Sequence, residues 1–258
     1  MAEPSSCTAT PARGRSPSTP TAGSRARPTR SGWASSIGRA SWTPGAARSA
    51  TTRAPHGRST GGPVATGYTY ASLADDLLAL LDHLGAAEPC DGLGASMGCG
   101  TVLHAAVRAP DRFFRLVLLI PPTAWASREA YARANRSAAD TVEREGAAAW
   151  RAARDRGPRP AVVADVPEFP PTPAERVLPS VLRGLALADL PPPAPITALR
   201  QPALVLAWAD DPGHPLSTAV TLADRLPGAR LLGARTCAEV GTWGERMAEF
   251  LSRPPHPG

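Results

Sequence analysis

The chain has 258 residues, 43% of them hydrophobic, which is enough apolar sequence for one sizeable core and excludes a wholly disordered protein. The formal net charge of +6 is unevenly spread: residues 1–60 carry nine Arg and one acid (Glu3), net +8, whereas residues 61–258 carry 19 Arg and 21 acids, net −2. The basic character therefore belongs to the amino-terminal stretch, which excludes a folded body built around a cationic nucleic-acid surface.

Between Pro4 and Pro63 the only large aliphatic residue is Ile37. A segment of Ser, Thr, Ala, Pro, Gly and Arg buries too little apolar surface to offset ordering its backbone, so residues 1–54 are expected to be low-complexity and disordered. Three readings of this stretch stand side by side: an Arg/Ser-rich organellar leader, a basic arm for nucleic acid, and a GC-rich gene read out of frame. Trp33 and Trp42 are too sparse for a base-stacking platform, so no nucleic-acid partner is expected. The absence of lysine fits GC-rich coding.

Ordered patterning begins near Tyr68. Residues 71–84 (ASLADDLLALLDHL) place apolar side chains at 73, 77, 80, 81 and 84, a helical stripe that stops at Gly85. Residues 89–93 read as a short, weak strand, and residues 99–108 as a helix ending before Pro110. Residues 114–120 (FRLVLLI) form a continuous apolar run expected to be a buried strand, stopped by Pro121 and Pro122. Strand, helix and strand thus follow one another at βαβ spacing, which implies a parallel sheet. Residues 123–197 break that rhythm with one or two amphipathic helices over 127–156, a Pro-rich loop, and a shorter helix over 174–187. An all-helical excursion between two sheet strands suits a lid, or a plain structural elaboration. Sheet character returns at 202–208 (PALVLAW), followed by a helix over 216–226, a short strand over 229–233 and a closing helix over 239–251.

Between the weak strand and the following helix lies Gly94-Ala95-Ser96-Met97-Gly98. A G-x-S-x-G sequence at a strand-to-helix turn holds a serine hydroxyl clear of the backbone, with glycines where side chains would collide. Such a serine needs a base, and the base an acid, to become a nucleophile. Asp211, in the loop after residues 202–208, is the acid candidate, against the alternative of a turn-capping Asp before Pro212.

Four stretches together resemble the α/β-hydrolase superfamily, in its lidded esterase-like branch: residues 55–59 (PHGRS), the helix before the elbow, the elbow itself, and residues 208–215 (WADDPGHP). The resemblance covers about residues 55–253. It implies an α/β fold with a mostly parallel sheet flanked by helices, a helical lid at about 123–197, and incomplete amino-terminal strands in a domain spanning 55–258. It further implies Ser96 as nucleophile, the Met97 N–H as half of an oxyanion hole, and Asp211 as the acid, acting on a small ester or related acyl substrate. The family's histidine belongs in the loop at 234–239, which holds none. His214, three residues past Asp211, and His256 in the Pro-Pro-His-Pro tail remain as candidate bases, with His56, His83 and His104 placed elsewhere. The family's front strands and His-Gly motif precede residue 55, and the pattern resumes abruptly at His56, which favours the out-of-frame reading of the tail. An elbow strand without those neighbours exposes a backbone edge and an apolar face, so self-association is expected. No cofactor and no metal is expected: Cys7, Cys90, Cys99 and Cys237 lack metal-ligand spacing. No apolar run is long enough to cross a membrane, and the expected location is the cytoplasm. The alternatives to an enzyme are a non-catalytic binding protein of the same fold and an inactive, damaged gene product.

Overall fold

Four strands, β1 (Cys90–Ala95), β2 (Phe113–Leu119), β3 (Ala203–Trp208) and β4 (Arg230–Ala234), lie side by side in chain order, and every pairing is parallel. They belong to a computed structural model that describes residues 61–157, 159–164 and 175–252. The expectations for residues 1–54, for His56 and for His256 lie outside the described residues. Parallel pairing requires a crossover between successive strands, and each crossover here contains helix. Helix α1 (Tyr70–His83) precedes the sheet; α2 (Met97–Arg108) joins β1 to β2. The insert between β2 and β3 holds α3 (Arg128–Glu145), α4 (Ala147–Asp155), α5 (Leu178–Leu187) and the short α6 (Pro193–Thr197). Helix α7 (Leu216–Arg225) joins β3 to β4, and α8 (Cys237–Gly241) and α9 (Trp243–Ser252) follow.

The sheet is covered on both faces, which is why β2 and β3 are apolar almost without alternation. One face packs Leu116, Leu118, Val205 and Ala207 against α1, α2, α6 and α7 through Tyr70, Leu103, Ile196 and Leu222. The other packs Val117, Leu119, Leu204 and Leu206 against Trp243, Met247 and Phe250 of α9, which recur at helical spacing. Helix α1 starts at Thr69, whose hydroxyl accepts the Ser72 N–H, and buries Tyr70, Leu73 and Ala74. Its contact with α2 is close because Gly100 has no side chain: a Cβ there would stand 2.2 Å from a Tyr70 ring carbon.

Most strands and helices of the body fall within two residues of their expected positions, but α5 starts at Leu178, four residues after its expected beginning, behind a 3-10 turn over Glu175–Val177. The helical stretch over 127–156 is two helices, because Gly146 turns the chain at φ 86° and starts α4. The closing helix over 239–251 is also two. A capping box between Thr236 and Glu239 starts the short α8, and the break at Thr242 lets α9 begin afresh with Trp243 turned into the core. Strand β1 pairs only with β2 among the described strands, and Leu93 and Phe114 beside that edge are 44% and 41% exposed. The sheet next to β1 thus exposes apolar side chains among the described residues.

The insert is joined to the body by a buried cation. Arg128 is only 6% exposed, yet no carboxylate pairs with it among the described residues. Its Nε donates to the Ala188 carbonyl (2.6 Å), Nη1 to the Thr123 carbonyl and hydroxyl (both 3.1 Å), and Nη2 to the Leu185 carbonyl (2.5 Å). The rings of Tyr70 and Tyr131 lie 5.3 and 4.8 Å from its guanidinium carbon. One side chain therefore ties the beginning and the end of the insert together against α1. Arg128→Met leaves these acceptors buried and unpaired, and should lower the unfolding free energy by about 3 kcal/mol, measured by urea denaturation.

Candidate active site

The elbow is built from backbone constraints. β1 ends at Ala95 and α2 begins at Met97, so one residue makes the whole turn: Ser96, at φ 53° and ψ −119°. A non-glycine residue there is strained by about 1–3 kcal/mol and persists only where its surroundings enforce it. They do so through the Ser96 N–H, which donates to the Leu119 carbonyl at the end of β2 (2.9 Å), and the Ser96 carbonyl, which accepts the Cys99 N–H (2.9 Å). The buried Cys99 thiol donates toward the Gly94 and Leu119 carbonyls (3.3 and 3.1 Å), closing the turn from below. A Cβ on Gly94 would lie 2.2 Å from the Gly98 carbonyl oxygen, so strand and helix can approach this closely only over a glycine. Gly94→Ala should open the elbow and cost about 3 kcal/mol, seen as a lowered urea midpoint at unchanged m-value.

The second part of the site leaves β3. Asp210 turns the chain at φ 60°, a conformation that Asp tolerates better than most residues, and Asp211-Pro212-Gly213-His214 follows. Asp211 Oδ1 accepts the Gly213 and His214 backbone N–H groups (2.9 and 3.2 Å). Its Oδ2 accepts two side-chain donors, His214 Nδ1–H (2.8 Å) and Trp208 Nε1–H (2.8 Å). The loop is also held from outside, because the Gly213 carbonyl accepts the N–H of Thr123, just beyond β2 (3.0 Å).

These two parts meet at one contact: Ser96 Oγ lies 2.7 Å from His214 Nε2. A carboxylate only accepts, so Nδ1 carries the proton toward Asp211, and neutral Nε2 is left to accept the serine O–H. Burial alone raises the Asp211 carboxyl. The hydrogen bond and charge of His214, with the Trp208 and Gly213 donors, outweigh it and bring the carboxyl down to about 2. The folded value lies below that of an unfolded aspartate, so this carboxylate stabilises the fold above about pH 4, and the contribution fades as pH falls toward 2. The stability gap between the protein and Asp211→Asn should accordingly narrow between pH 4 and pH 2, as followed by urea unfolding at each pH.

The structure therefore brings Ser96, His214 and Asp211 together, while the remaining histidines within the described residues lie elsewhere. His83 is exposed at the end of α1. His104, on α2, directs its Nε2 to the Asp189 backbone carbonyl (2.9 Å) at the base of the insert, and burial lowers its pKa. The loop at 234–239 spends Thr236 and Glu239 on the helix cap. Met97 is the first residue of α2, where backbone N–H groups find no partner inside the helix and the helix dipole favours negative charge. Among the described residues no cluster of three His, Cys, Asp or Glu side chains forms a metal site. Two contributors escaped the sequence reading. Trp208 was legible only as the last residue of a strand, although it sits three positions before Asp211. Thr123 acts through its backbone, which carries no residue-type signal.

A parallel sheet with a serine on a strand-to-helix turn and an Asp–His pair after a later strand is the α/β-hydrolase arrangement. The profile of the alpha/beta hydrolase fold matches residues 55–241, and the chain belongs to that family. Among solved structures it is similar to an esterase from Thermogutta terrifontis (23% identity, 77% of this chain and 75% of that one covered, TM-score 0.61). It is likewise similar to a hydrolase from Pseudomonas aeruginosa (24%, 78% and 78%, TM-score 0.59) and to the enol-lactonase from Burkholderia xenovorans (23%, 77% and 78%, TM-score 0.60). At such identities the likeness is one of fold. No curated protein sequence matches the chain. No helix among the described residues is long and apolar enough to cross a membrane.

Proposed function

We propose that this chain is a serine hydrolase acting on a small ester or a related acyl compound. The observation that carries the reading is the unbroken chain of hydrogen bonds from Ser96 Oγ to His214 Nε2 (2.7 Å) and from His214 Nδ1 to Asp211 Oδ2 (2.8 Å). In that arrangement Ser96 Oγ attacks the acyl carbonyl carbon while His214 Nε2 takes its proton, and Asp211 holds the tautomer and stabilises the imidazolium. The Met97 N–H donates to the oxygen that becomes negative. His214 then returns the proton to the departing alcohol, and the acyl-serine is hydrolysed by water through the same steps. The base occupies the acid's own loop, three residues after it, instead of a loop following the last strand. Two of the structures alike in fold are named an esterase and an enol-lactonase, which is consistent with ester-type chemistry, although the argument rests on the side-chain geometry.

The helical insert is assigned as the lid of this site. The Thr123 N–H on the Gly213 carbonyl links the start of the insert directly to the His214 loop, and Tyr131 of α3 faces Gly213. The exposed Leu93 and Phe114 beside the outer edge of β1 support self-association through that face.

A fluorophosphonate probe tests the reading. Labelling of one residue, Ser96, is expected, absent in Ser96→Ala and slowed about 10³-fold or more in His214→Ala. A folded, monodisperse protein that stays unlabelled overturns the enzyme and favours a non-catalytic binder of the same fold. A sample that aggregates with a molten-looking spectrum favours a damaged gene product.

A further inference from the structure

Resting on that reading, we propose that Trp208 is a positioning residue of the catalytic dyad, whose indole N–H shares the carboxylate oxygen that holds His214. Its Nε1 lies 2.8 Å from Asp211 Oδ2, the same oxygen that takes the His214 Nδ1–H at 2.8 Å. Oδ1 is occupied by two backbone N–H groups, so the indole supplies the remaining side-chain donor. The Trp208 ring is fixed in turn: it stacks on Trp243 with centroids 5.8 Å apart and planes 13° from parallel, and Trp243 is 5% exposed. The acid is therefore anchored to α9 through two stacked indoles.

Acid and base share one loop that follows the strained Asp210, and the Gly213 and His214 N–H groups on Oδ1 belong to that same loop, so they hold the carboxylate to the loop without tying it to the sheet. The indole N–H supplies that tie, and because a trigonal oxygen accepts best in its own plane, a second in-plane donor leaves one direction for the imidazole. It also draws charge from Oδ2. A carboxylate relieved of that donor keeps more charge on Oδ2 and interacts more strongly with an imidazolium formed beside it. Among the described residues, Ser96 from the elbow and Trp208 from β3 bond to the pair, Tyr131 of α3 lies beside the loop at Gly213, and the ionisable side chain acting on Asp211 is His214.

Trp208→Phe keeps an aromatic ring for Trp243 and removes the N–H together with part of the ring, a packing loss that Trp243→Phe also samples. In Trp208→Phe the acid limb of kcat/KM should move to higher pH by about half a unit, with kcat at pH 7 lowered about tenfold and KM changed less than about twofold. Trp243→Phe, which weakens the stack and spares the N–H, should leave the midpoint of that limb in place. An unmoved limb in Trp208→Phe, or an equal displacement in both variants, overturns the inference by reducing Trp208 to packing. A measurement on the unsubstituted protein covers the case in which Trp208→Phe does not fold. One indole N–H proton resonance should titrate between pH 4 and 9, and that titration should disappear in His214→Ala; no such resonance overturns the inference. Fluorophosphonate labelling separates the two levels. Wild type labelled at Ser96 with Trp208→Phe indistinguishable from it sinks only the role of Trp208, whereas an unlabelled wild type sinks the hydrolase reading, with the indole titration still reporting on the contact.

Discussion

The Ser96 N–H bonded to the Leu119 carbonyl fixes the rest of the site. It lets a strained serine stand where β1 leaves the sheet, and it does so because β1 and β2 are parallel and in register up to Ala95 and Leu119. The register continues into the next pair, Leu119 beside Leu206, with the Ile120 N–H on the Leu206 carbonyl at 2.6 Å. β1 and β2 therefore end together and β3 runs two residues further, to Trp208, so the chain segments leaving the three strands are brought within reach of one another at the carboxyl edge of the sheet. Of the four non-glycine residues with positive φ among the described residues, Ser96 and Ile120 directly follow strand ends and Asp210 lies two residues past the end of β3, so backbone strain is concentrated around the candidate site.

The core makes that strain tolerable. β2 and β3 are buried on both faces, and their side chains pack against helices on either side. A sheet so enclosed cannot shift its register by one residue without breaking the close packing of both faces at once. The cost of an awkward turn at Ser96 is then small against the burial lost by relaxing it. Arg128 plays the matching part for the insert, spending its donors on carbonyl groups from both of the insert's ends.

Asp211 is the electrostatic centre of the arrangement. Four donors converge on its two oxygens, and their sum overrides the burial that would otherwise neutralise the carboxyl. A permanently charged acid is what an imidazole needs beside it if its second nitrogen is to accept a proton from serine. Placing base and acid three residues apart on one loop makes the pair local, and transfers the burden of orientation to the groups around that loop: Trp208 from β3 and Thr123 from the start of the insert.

Much of this was legible in the sequence. The apolar runs of β2 and β3, the stripe of α1 and the G-x-S-x-G turn are set by side-chain pattern and glycine placement, which act locally, so Ser96, Asp211 and the family could be read from residues alone. The breaks at Gly146 and Thr242 were not, because a break depends on which core the following helix must reach. The choice among histidines was legible only in part: His214 shares the loop of Asp211, which favours it over His256, while its contact with Ser96 was not readable from residues. Periodicity and glycine placement indicated the layers and the G-x-S-x-G turn, and the family resemblance pointed to Asp211 as the acid. Only the packed chain could decide that His214 meets Ser96, since that contact joins the ends of β1 and β3, whose separation is fixed by sheet register and not by neighbouring residue type; the indole contact at 208 is local, but its direction depends on the stacking of Trp208 on Trp243.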